Sequence, residues 1–188
     1  MESMNISQVQ DKFNNGEDLD FIFFWDKGMY INGEMNKGCC TQWHRGRPFT
    51  VGCIEYQTAE HWMMSEKARL FGDYDSTQNI FNSDHPRDAL ALGRSVKNYD
   101  QVKWNTHKFD IVLRGNYHKF SQYDELKNWL LSTGDSIIVE ASPHDKIWGV
   151  GLMESDPAIM NPNLWEGENL LGFAIMKVRE MFRNNESL

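Results

Sequence analysis

The feature that most constrains the fold is a series of helical segments broken by a single β-branched run. Helical signals occupy five segments, with approximate bounds Thr58–Phe71, Pro86–Lys97, Gln101–Tyr117, Asp124–Leu131 and Glu168–Arg183. The run Ser136–Ala141 predicts a buried strand, and residues 21–57 mix aromatic residues with glycines, which predicts short strands and turns. Because strands and helices do not alternate, the sequence predicts an α+β fold dominated by helices.

The size and composition predict one folded domain. A chain of 188 residues suits one ordinary domain or at most two small ones. Hydrophobic residues make up 40% and charged residues 24% of the chain, a balance that argues against disorder. Residues 1–20 are polar, so we expect an N-terminal lead-in there, with the domain at residues 21–184.

The apolar runs are too short for membrane insertion. The longer ones, Phe21–Trp25 and Leu170–Met176, fall far below the roughly 20 residues that a membrane span needs. The acidic, polar N-terminus also lacks the basic-then-apolar pattern of a signal peptide. We therefore expect a soluble, cytoplasmic protein with no membrane partner.

The charge disfavours unspecific binding to nucleic acids. Lys and Arg number 19 against 27 Asp and Glu, which gives a formal net charge of −8. Such a surface repels phosphate backbones. A locally basic pocket for one phosphate-bearing ligand remains compatible with this charge.

Three cysteines raise the question of a metal site. Cys39, Cys40 and Cys53, with His44, are candidate zinc ligands by residue type, but their spacing matches no standard zinc pattern. An odd cysteine count also does not resemble a disulfide framework. The sequence lacks the GxGxxG, P-loop and HExxH motifs. We expect reduced thiols in a loop, no metal and no cofactor.

Glu60 and Lys67 are the first candidates for chemistry. They lie seven residues apart on one predicted helix, which is about two turns, so both side chains project from one face. One interpretation is an ion pair, at the surface or buried, that fixes helix packing. The other is a pocket wall with a carboxylate for acid–base work and a perturbed lysine.

Further candidates each have a structural alternative. His61 is more simply a structural histidine than a ligand contact. Gly93, inside a predicted helix, implies close approach of backbone or ligand. Arg94 could hold a phosphate or be an exposed helix residue. Trp104 and Trp148 could wall a pocket, although tryptophans more often fill a core.

The loop from Pro143 to Gly151 follows a predicted buried strand. Asp145 precedes an Ile-Trp-Gly-Val-Gly run, in which Gly149 and Gly151 would let a backbone come close to a ligand. The alternative is a turn in which Asp145 makes a local Asx bond. Asn169 is a further candidate, with capping of the last helix as its structural alternative.

Several motifs in register resemble the NADAR, or YbiA-like, family. They are Tyr56-Gln57-Thr58-Ala59-Glu60-His61-Trp62-Met63-Met64, Lys67-Ala68-Arg69-Leu70-Phe71, Leu92-Gly93-Arg94, Trp104, Lys119-Phe120, Thr133-Gly134-Asp135, Val139-Glu140-Ala141-Ser142-Pro143, Asp145, Ile147-Trp148-Gly149 and Asn169-Leu170-Leu171-Gly172. The resemblance covers about residues 21–183. It implies a single, mainly helical domain with a small β-sheet, the YbiA-like fold, and an enzyme that needs no metal.

The resemblance also implies N-glycoside hydrolysis. Family members remove ADP-ribose from guanine in nucleic acids, as counterparts of ADP-ribosyltransferase toxins, or cleave ribosylamino-pyrimidine phosphates of riboflavin biosynthesis. The implied catalytic residues are Glu60, Lys67 and Asp145. The implied substrate-binding residues are Trp43, His61, Gly93, Arg94, Trp104, Trp148, Gly149 and Asn169. The family often has Ser-Asn-Trp where this chain has Thr41-Gln42-Trp43.

Two mechanisms and three functions follow. In the first mechanism, Glu60 stabilises positive charge on the ribose C1 and activates water, and Asp145 protonates the leaving nitrogen. In the second, Lys67 forms a Schiff base with the opened sugar. We expect an ADP-ribosyl glycohydrolase acting on guanine in DNA or RNA. The alternatives are a hydrolase of riboflavin intermediates and a non-catalytic module that binds ADP-ribose or NAD.

Overall fold

The computed structural model describes residues 4–25, 30–31 and 33–188, with only the backbone described for residues 30 and 31. The helices are α1 (Ile6–Asn14), α2 (Ala59–Leu70), α3 (Tyr74–Phe81), α4 (Pro86–Arg94), α5 (Gln101–Ser121), α6 (Asp124–Ser132) and α7 (Leu170–Arg183). The strands are β1 (Phe21–Phe24), β2 (Tyr30–Ile31), β3 (Glu34–Met35), β4 (Phe49–Val51), β5 (Ile54–Tyr56) and β6 (Ile137–Glu140). The predicted α+β class, dominated by helices, is confirmed.

The five predicted helices are all present, with shifted ends. Helix α4 ends at Arg94 rather than near Lys97, and α5 continues to Ser121. Helix α3 was not predicted: it is eight residues long, begins after the N-cap Asp73 and buries only Thr77 and Ile80. A segment of eight residues is shorter than the window over which helical periodicity is recognised. The expected lead-in contains α1, whose N-cap Asn5 forms a capping box with Gln8.

The β-structure consists of separate two-stranded pairs among the described residues. Strands β1 and β6 pair in parallel, from Phe21 opposite Ile137 to Phe24 opposite Glu140. Strands β2 and β3, and strands β4 and β5, pair as antiparallel ladders. The predicted buried strand is therefore β6, and its partner comes from the beginning of the chain.

The chain divides into two compact units. The first consists of Met1–Thr41 and Asp124–Leu188, and the second of Gln42–Tyr123. In the first unit α7 packs against β6 so closely that a Cβ on Gly172 would overlap the Ile138 carbonyl oxygen. The buried Arg179 of α7 donates to Thr133 Oγ1 at 2.7 Å and to the Ser136 carbonyl at 2.9 Å. The Thr-Gly-Asp motif thus anchors α7.

The second unit is built around α2. This helix contacts α3, α4 and α5. Trp62 of α2 donates its indole N–H to the Ile111 carbonyl at 2.7 Å, and a Cβ on Gly115 would overlap the Trp62 ring. Trp62 also belongs to a buried cluster with Phe49, Tyr56 and Ala59. Glycine in α5 therefore lets two helices approach at the point where the tryptophan packs.

The cysteines do not lie as expected. Cys39 and Cys40 are buried in a 3₁₀ helix, Lys37–Cys40, and not in a loop, whereas Cys53 is exposed. None of these three cysteines forms a disulfide. Over the part of the chain that the structure describes, His, Cys, Asp and Glu form no group of three or more that could hold a metal ion.

The helices were also compared with the requirements of a membrane span. Within the described ranges, none combines the necessary length with sufficient apolar character.

Gly172→Ala tests the contact between α7 and β6. Because a Cβ there meets a backbone oxygen that cannot rotate away, we expect a loss of about 1–3 kcal/mol in the free energy of unfolding. Urea denaturation measures it. Asn128→Ala, at an exposed position of α6, is the control and should change the value by less than about 0.5 kcal/mol. Equal unfolding free energies for Gly172→Ala and the wild type would contradict this packing.

Candidate active site

Glu60 lies in the buried first turn of α2. Thr58 is the N-cap, with extended backbone, and its hydroxyl accepts the His61 N–H. The Glu60 side chain is only 3% exposed. Its backbone N–H donates to the Gln42 carbonyl at 3.0 Å, so the chain before β4 fixes the beginning of this helix. A carboxylate in the first turn is favourably placed for the helix dipole.

Lys67 lies two turns further along α2 and is half-buried. Its Nζ is 4.6 Å from the centroid of the Tyr99 ring and 5.5 Å from that of Trp104. Burial lowers the pKa of Lys67, the charge of Arg94 lowers it further, and the charge of Glu60 acts in the opposite direction. Glu60 and Lys67 therefore act on each other electrostatically, as the predicted common face requires.

His61 has a structural role. Its Nε2 lies 3.1 Å from the Ser83 carbonyl, which only accepts, so Nε2 carries the proton. Nδ1 then accepts the Thr58 hydroxyl at 2.8 Å. Burial is the main cause that lowers the pKa of His61, which keeps the ring neutral. Both nitrogens are thus used within the protein, in agreement with the structural alternative for this histidine.

The remaining predicted residues of the second unit have different surroundings. Gly93 is buried, and a Cβ there would overlap the Met64 side chain, so the glycine permits close packing of α4 on α2. Arg94 is exposed at the end of α4. Trp43 is half-buried, with its ring edge-on to His85 at 6.3 Å between centroids. Arg94 and Trp43 keep side-chain surface for a ligand.

In the first unit, Asp145 forms the local turn given above as its structural alternative. Its Oδ1 accepts the backbone N–H of Ile147 at 2.8 Å and that of Trp148 at 2.7 Å. Trp148 is half-buried and its carbonyl accepts the Leu171 N–H at 3.1 Å. This carboxylate therefore shapes the Ile-Trp-Gly turn and holds it at the start of α7.

Gly149 and Asn169 complete the end of β6. A Cβ on Gly149 would lie 2.8 Å from the Glu140 carbonyl oxygen, so the glycine allows two backbones to meet. Asn169 is fully buried and has a positive φ of 53°. Its Oδ1 accepts the Glu140 N–H and its Nδ2 donates to the Ile138 carbonyl, each at 3.0 Å. Instead of capping α7 with its side chain, Asn169 satisfies the edge of β6.

A groove of about 790 Å³ lies elsewhere in the first unit. It is lined by residues of α1, α7 and the segment 17–20, and contains none of the predicted site residues. Its four basic side chains are already engaged: Lys12 with Glu17, Lys177 with Glu180, Arg183 with Asp135, and Arg179 with Thr133 and the Ser136 carbonyl. We therefore regard this groove as a structural junction.

Sequence reasoning missed Tyr99 and the buried pair Gln42–Asn116. Asn116 is fully buried and donates through Nδ2 to Gln42 Oε1 at 3.2 Å, while the Gln42 backbone carbonyl holds Glu60. Tyr99 follows α4 in an irregular segment, where no periodic pattern distinguishes one aromatic residue from another. Gln42 had been noted only as a departure from the Asn of the family motif.

Comparisons with known proteins identify the family. A family model described as the NADAR domain matches residues 23–183. The chain belongs to the NADAR domain family. N-glycosidase R617 of Acanthamoeba polyphaga mimivirus is 48% identical over 126 residues, which cover 67% of this chain and 74% of that protein.

Two further proteins extend the NADAR comparison. The chloroplastic riboflavin biosynthesis protein PYRR of Zea mays is 37% identical over 131 residues, covering 66% of this chain and 19% of that protein. The NMR structure of the Escherichia coli protein YbiA matches with a TM-score of 0.66 and 24% identity, covering 88% of this chain and 86% of YbiA. This likeness shows that the NADAR chain has the YbiA-like fold.

The NADAR match includes every predicted site residue. Within the second unit, Lys67 lies against the Trp104 ring, and the charges of Glu60 and Arg94 act on Lys67. A buried carboxylate can exchange protons with a bound ligand, and an amine of lowered pKa on the same helix can act as a nucleophile. Within the first unit, Asp145, Trp148, Gly149 and Asn169 cluster at the end of β6. Their roles toward a substrate stay predictions.

His44 provides a test of the electrostatics of the second unit. Burial first, then the charges of Lys119 and Arg47, lower the pKa of His44 from 6.5 to about 4. Below pH 6.5 the unfolded chain binds a proton at His44 that the folded chain does not bind. We therefore expect the free energy of unfolding to decrease as the pH falls from about 6.5 toward 4.

Urea denaturation of the wild type and of His44→Gln at pH 7 and pH 5 measures this effect. The variant should lose less of its unfolding free energy between the two pH values. Some dependence should remain, because the pKa of His61 is also lowered. An equal pH dependence in the two proteins would contradict a neutral His44 in the folded state.

Proposed function

We propose that this chain is an N-glycosidase that hydrolyses the C1–N bond of an N-ribosyl compound, with ADP-ribose attached to guanine as the substrate. The observation that carries the proposal is the buried Glu60 on the same helix face as Lys67, whose pKa is lowered. The name N-glycosidase of the mimiviral relative supports the same reaction class. The exposed Arg94, whose charge acts on Lys67, supports a substrate that carries phosphate.

Cleavage of an N-ribosyl bond makes two chemical demands. Positive charge develops on C1 and the ring oxygen, and the leaving nitrogen must take up a proton. The Glu60 carboxylate meets the first demand by electrostatic stabilisation and can take a proton from the attacking water. In this route the water oxygen bonds to C1 as the C1–N bond breaks, and Glu60 passes the proton that it takes from water to the leaving nitrogen.

Lys67 offers a second route through an imine. Its neutral Nζ adds to C1 of the opened sugar, and Glu60 transfers protons from Nζ to the substrate nitrogen. That nitrogen then leaves as an amine when its bond to C1 breaks. Water then hydrolyses the imine, which releases the sugar and restores the Lys67 amine. The lowered pKa of Lys67 favours this route, because it increases the fraction of neutral amine at a given pH.

A second candidate substrate is a ribosylamino-pyrimidine phosphate. The relationship to the maize riboflavin biosynthesis protein supports it, as does the net charge of −8, which disfavours approach to DNA. Both substrates present a ribose C1 bonded to an exocyclic amine, so the chemistry required of Glu60 and Lys67 is the same. The two substrates differ in the group that carries this nitrogen, which is guanine in one and a pyrimidine in the other.

Incubation with ADP-ribosylated guanosine, with mass spectrometry of free ADP-ribose, tests the proposed substrate. We expect release by the wild type and a decrease of about 10²-fold or more for Glu60→Gln, which removes the charge and keeps the shape. Ligand affinity should be retained. Glu66→Gln is the matched control, since Glu66 lies on the same helix but pairs with Arg69.

Three other outcomes would contradict the proposal in different ways. Turnover of a ribosylamino-pyrimidine phosphate alone would support the second substrate. Binding of ADP-ribose without turnover of either compound would indicate a binding module. Full activity of Glu60→Gln would remove Glu60 from the mechanism.

Lys67→Arg separates the two routes. Arginine keeps the positive charge but cannot form an imine, so the imine route predicts a loss of about 10²-fold or more in kcat. Borohydride added during turnover should then trap a sugar adduct on Lys67 of the wild type, detected by peptide mass spectrometry. Retained turnover in Lys67→Arg, without an adduct in the wild type, would establish direct attack by water.

A further inference from the structure

Two aromatic rings surround the Lys67 ammonium. Its Nζ is 4.6 Å from the Tyr99 centroid and 5.5 Å from the Trp104 centroid, and both distances lie within the range of a cation–π contact. The two rings differ in setting, since Trp104 is 8% exposed and Tyr99 is 43% exposed. Core packing therefore accounts for Trp104, whereas it leaves the position of Tyr99 unexplained.

The Tyr99 ring is held from two sides. Its edge packs on Phe71, with 5.2 Å between centroids and 61° between planes, and its hydroxyl donates to Gln101 Oε1 at 2.9 Å. The preceding residue, Asn98, has a positive φ of 55°. This left-handed residue, which asparagine tolerates better than most side chains, turns the backbone just before Tyr99. Two side-chain contacts and the turn at Asn98 thus place an exposed ring.

The charges around Lys67 indicate that the Tyr99 ring helps to stabilise its ammonium group. Glu60 of the same helix attracts the ammonium, and Arg94 of α4 repels it. Burial removes water that would otherwise stabilise the charge. The electron-rich faces of Tyr99 and Trp104 partly replace that water without supplying a competing hydrogen-bond acceptor. They can hold the amine in place and leave its lone pair and protons available.

We propose that Tyr99 is a positioning residue for Lys67, and that with Trp104 it forms an aromatic cage that keeps the amine on the face of α2 that carries Glu60. The catalytic meaning of the cage rests on the proposed function, whereas the cage itself does not. In the imine route, the protonated imine is also a cation, so the same two rings stabilise it after the bond to C1 has formed.

Tyr99→Leu and Tyr99→Phe test the cage without any substrate. Leucine keeps an apolar side chain beside Lys67 but removes the ring, whereas phenylalanine keeps the ring and removes only the hydroxyl. Reductive ¹³C-methylation followed by NMR titration reports the pKa of Lys67, and its signal is assigned by its absence from Lys67→Arg. We expect a lower pKa in Tyr99→Leu, because the ring stabilises the ammonium, and no change in Tyr99→Phe.

Kinetics with ADP-ribosylated guanosine provide the second measurement. We expect kcat of Tyr99→Leu to decrease about 3- to 10-fold, with KM nearly unchanged and with recovery in Tyr99→Phe. Tyr74→Leu, at a 75% exposed tyrosine of α3, is the matched control and should behave as the wild type. Tyr99→Met gives a second ring-free variant should Tyr99→Leu lose its fold.

The results distinguish failure of the cage from failure of the proposed function. An unchanged or higher pKa of Lys67 in Tyr99→Leu and Tyr99→Met would contradict the proposed cage, whatever the activity of these variants. A wild type without turnover would overturn the proposed function, and the NMR titration would still decide whether the cage exists.

Discussion

The packing of α2 is the constraint on which the second unit depends. Eight of its twelve residues are buried, and they include the polar side chains of Glu60, His61 and Ser65. A helix buried nearly all round has no solvent face, so its polar groups must find partners inside the protein. The Gln42 carbonyl accepts the Glu60 backbone N–H, and Thr58 and Ser83 form hydrogen bonds with the His61 ring, so the segment before β4 and the segment after α3 both contact α2.

Two glycines make this burial possible. Gly93 in α4 and Gly115 in α5 lie where a Cβ would overlap Met64 and Trp62 of α2. Glycine inside a helix costs about 1 kcal/mol relative to alanine, so its use twice against one helix indicates that close approach is worth more. The close packing immobilises α2, and the immobile helix fixes the relative positions of Glu60 and Lys67. The packing of α2 therefore determines both the core of the second unit and the positions of the two candidate catalytic residues.

The glycines and turns of the first unit serve the same purpose at β6. The sequence predicts that Gly149 and Asn169 contact a ligand, which stays a prediction, and the structure shows that both also complete the backbone around this strand. Asp145 likewise shapes a turn. A motif read from sequence marks positions where substitution is difficult, and it cannot distinguish tight backbone packing from ligand contact.

The sequence by itself determined the helical periodicity, the N-cap at Thr58, the buried strand β6 and the common face of Glu60 and Lys67. These features depend on residues close together in the chain, whose spacing fixes their geometry. Tertiary structure alone decided that His61 contacts the Ser83 carbonyl, that Tyr99 lies against Lys67, and that α3 forms from a polar segment with only two buried residues. Those outcomes depend on contacts between segments, and a linear pattern does not encode which surfaces meet.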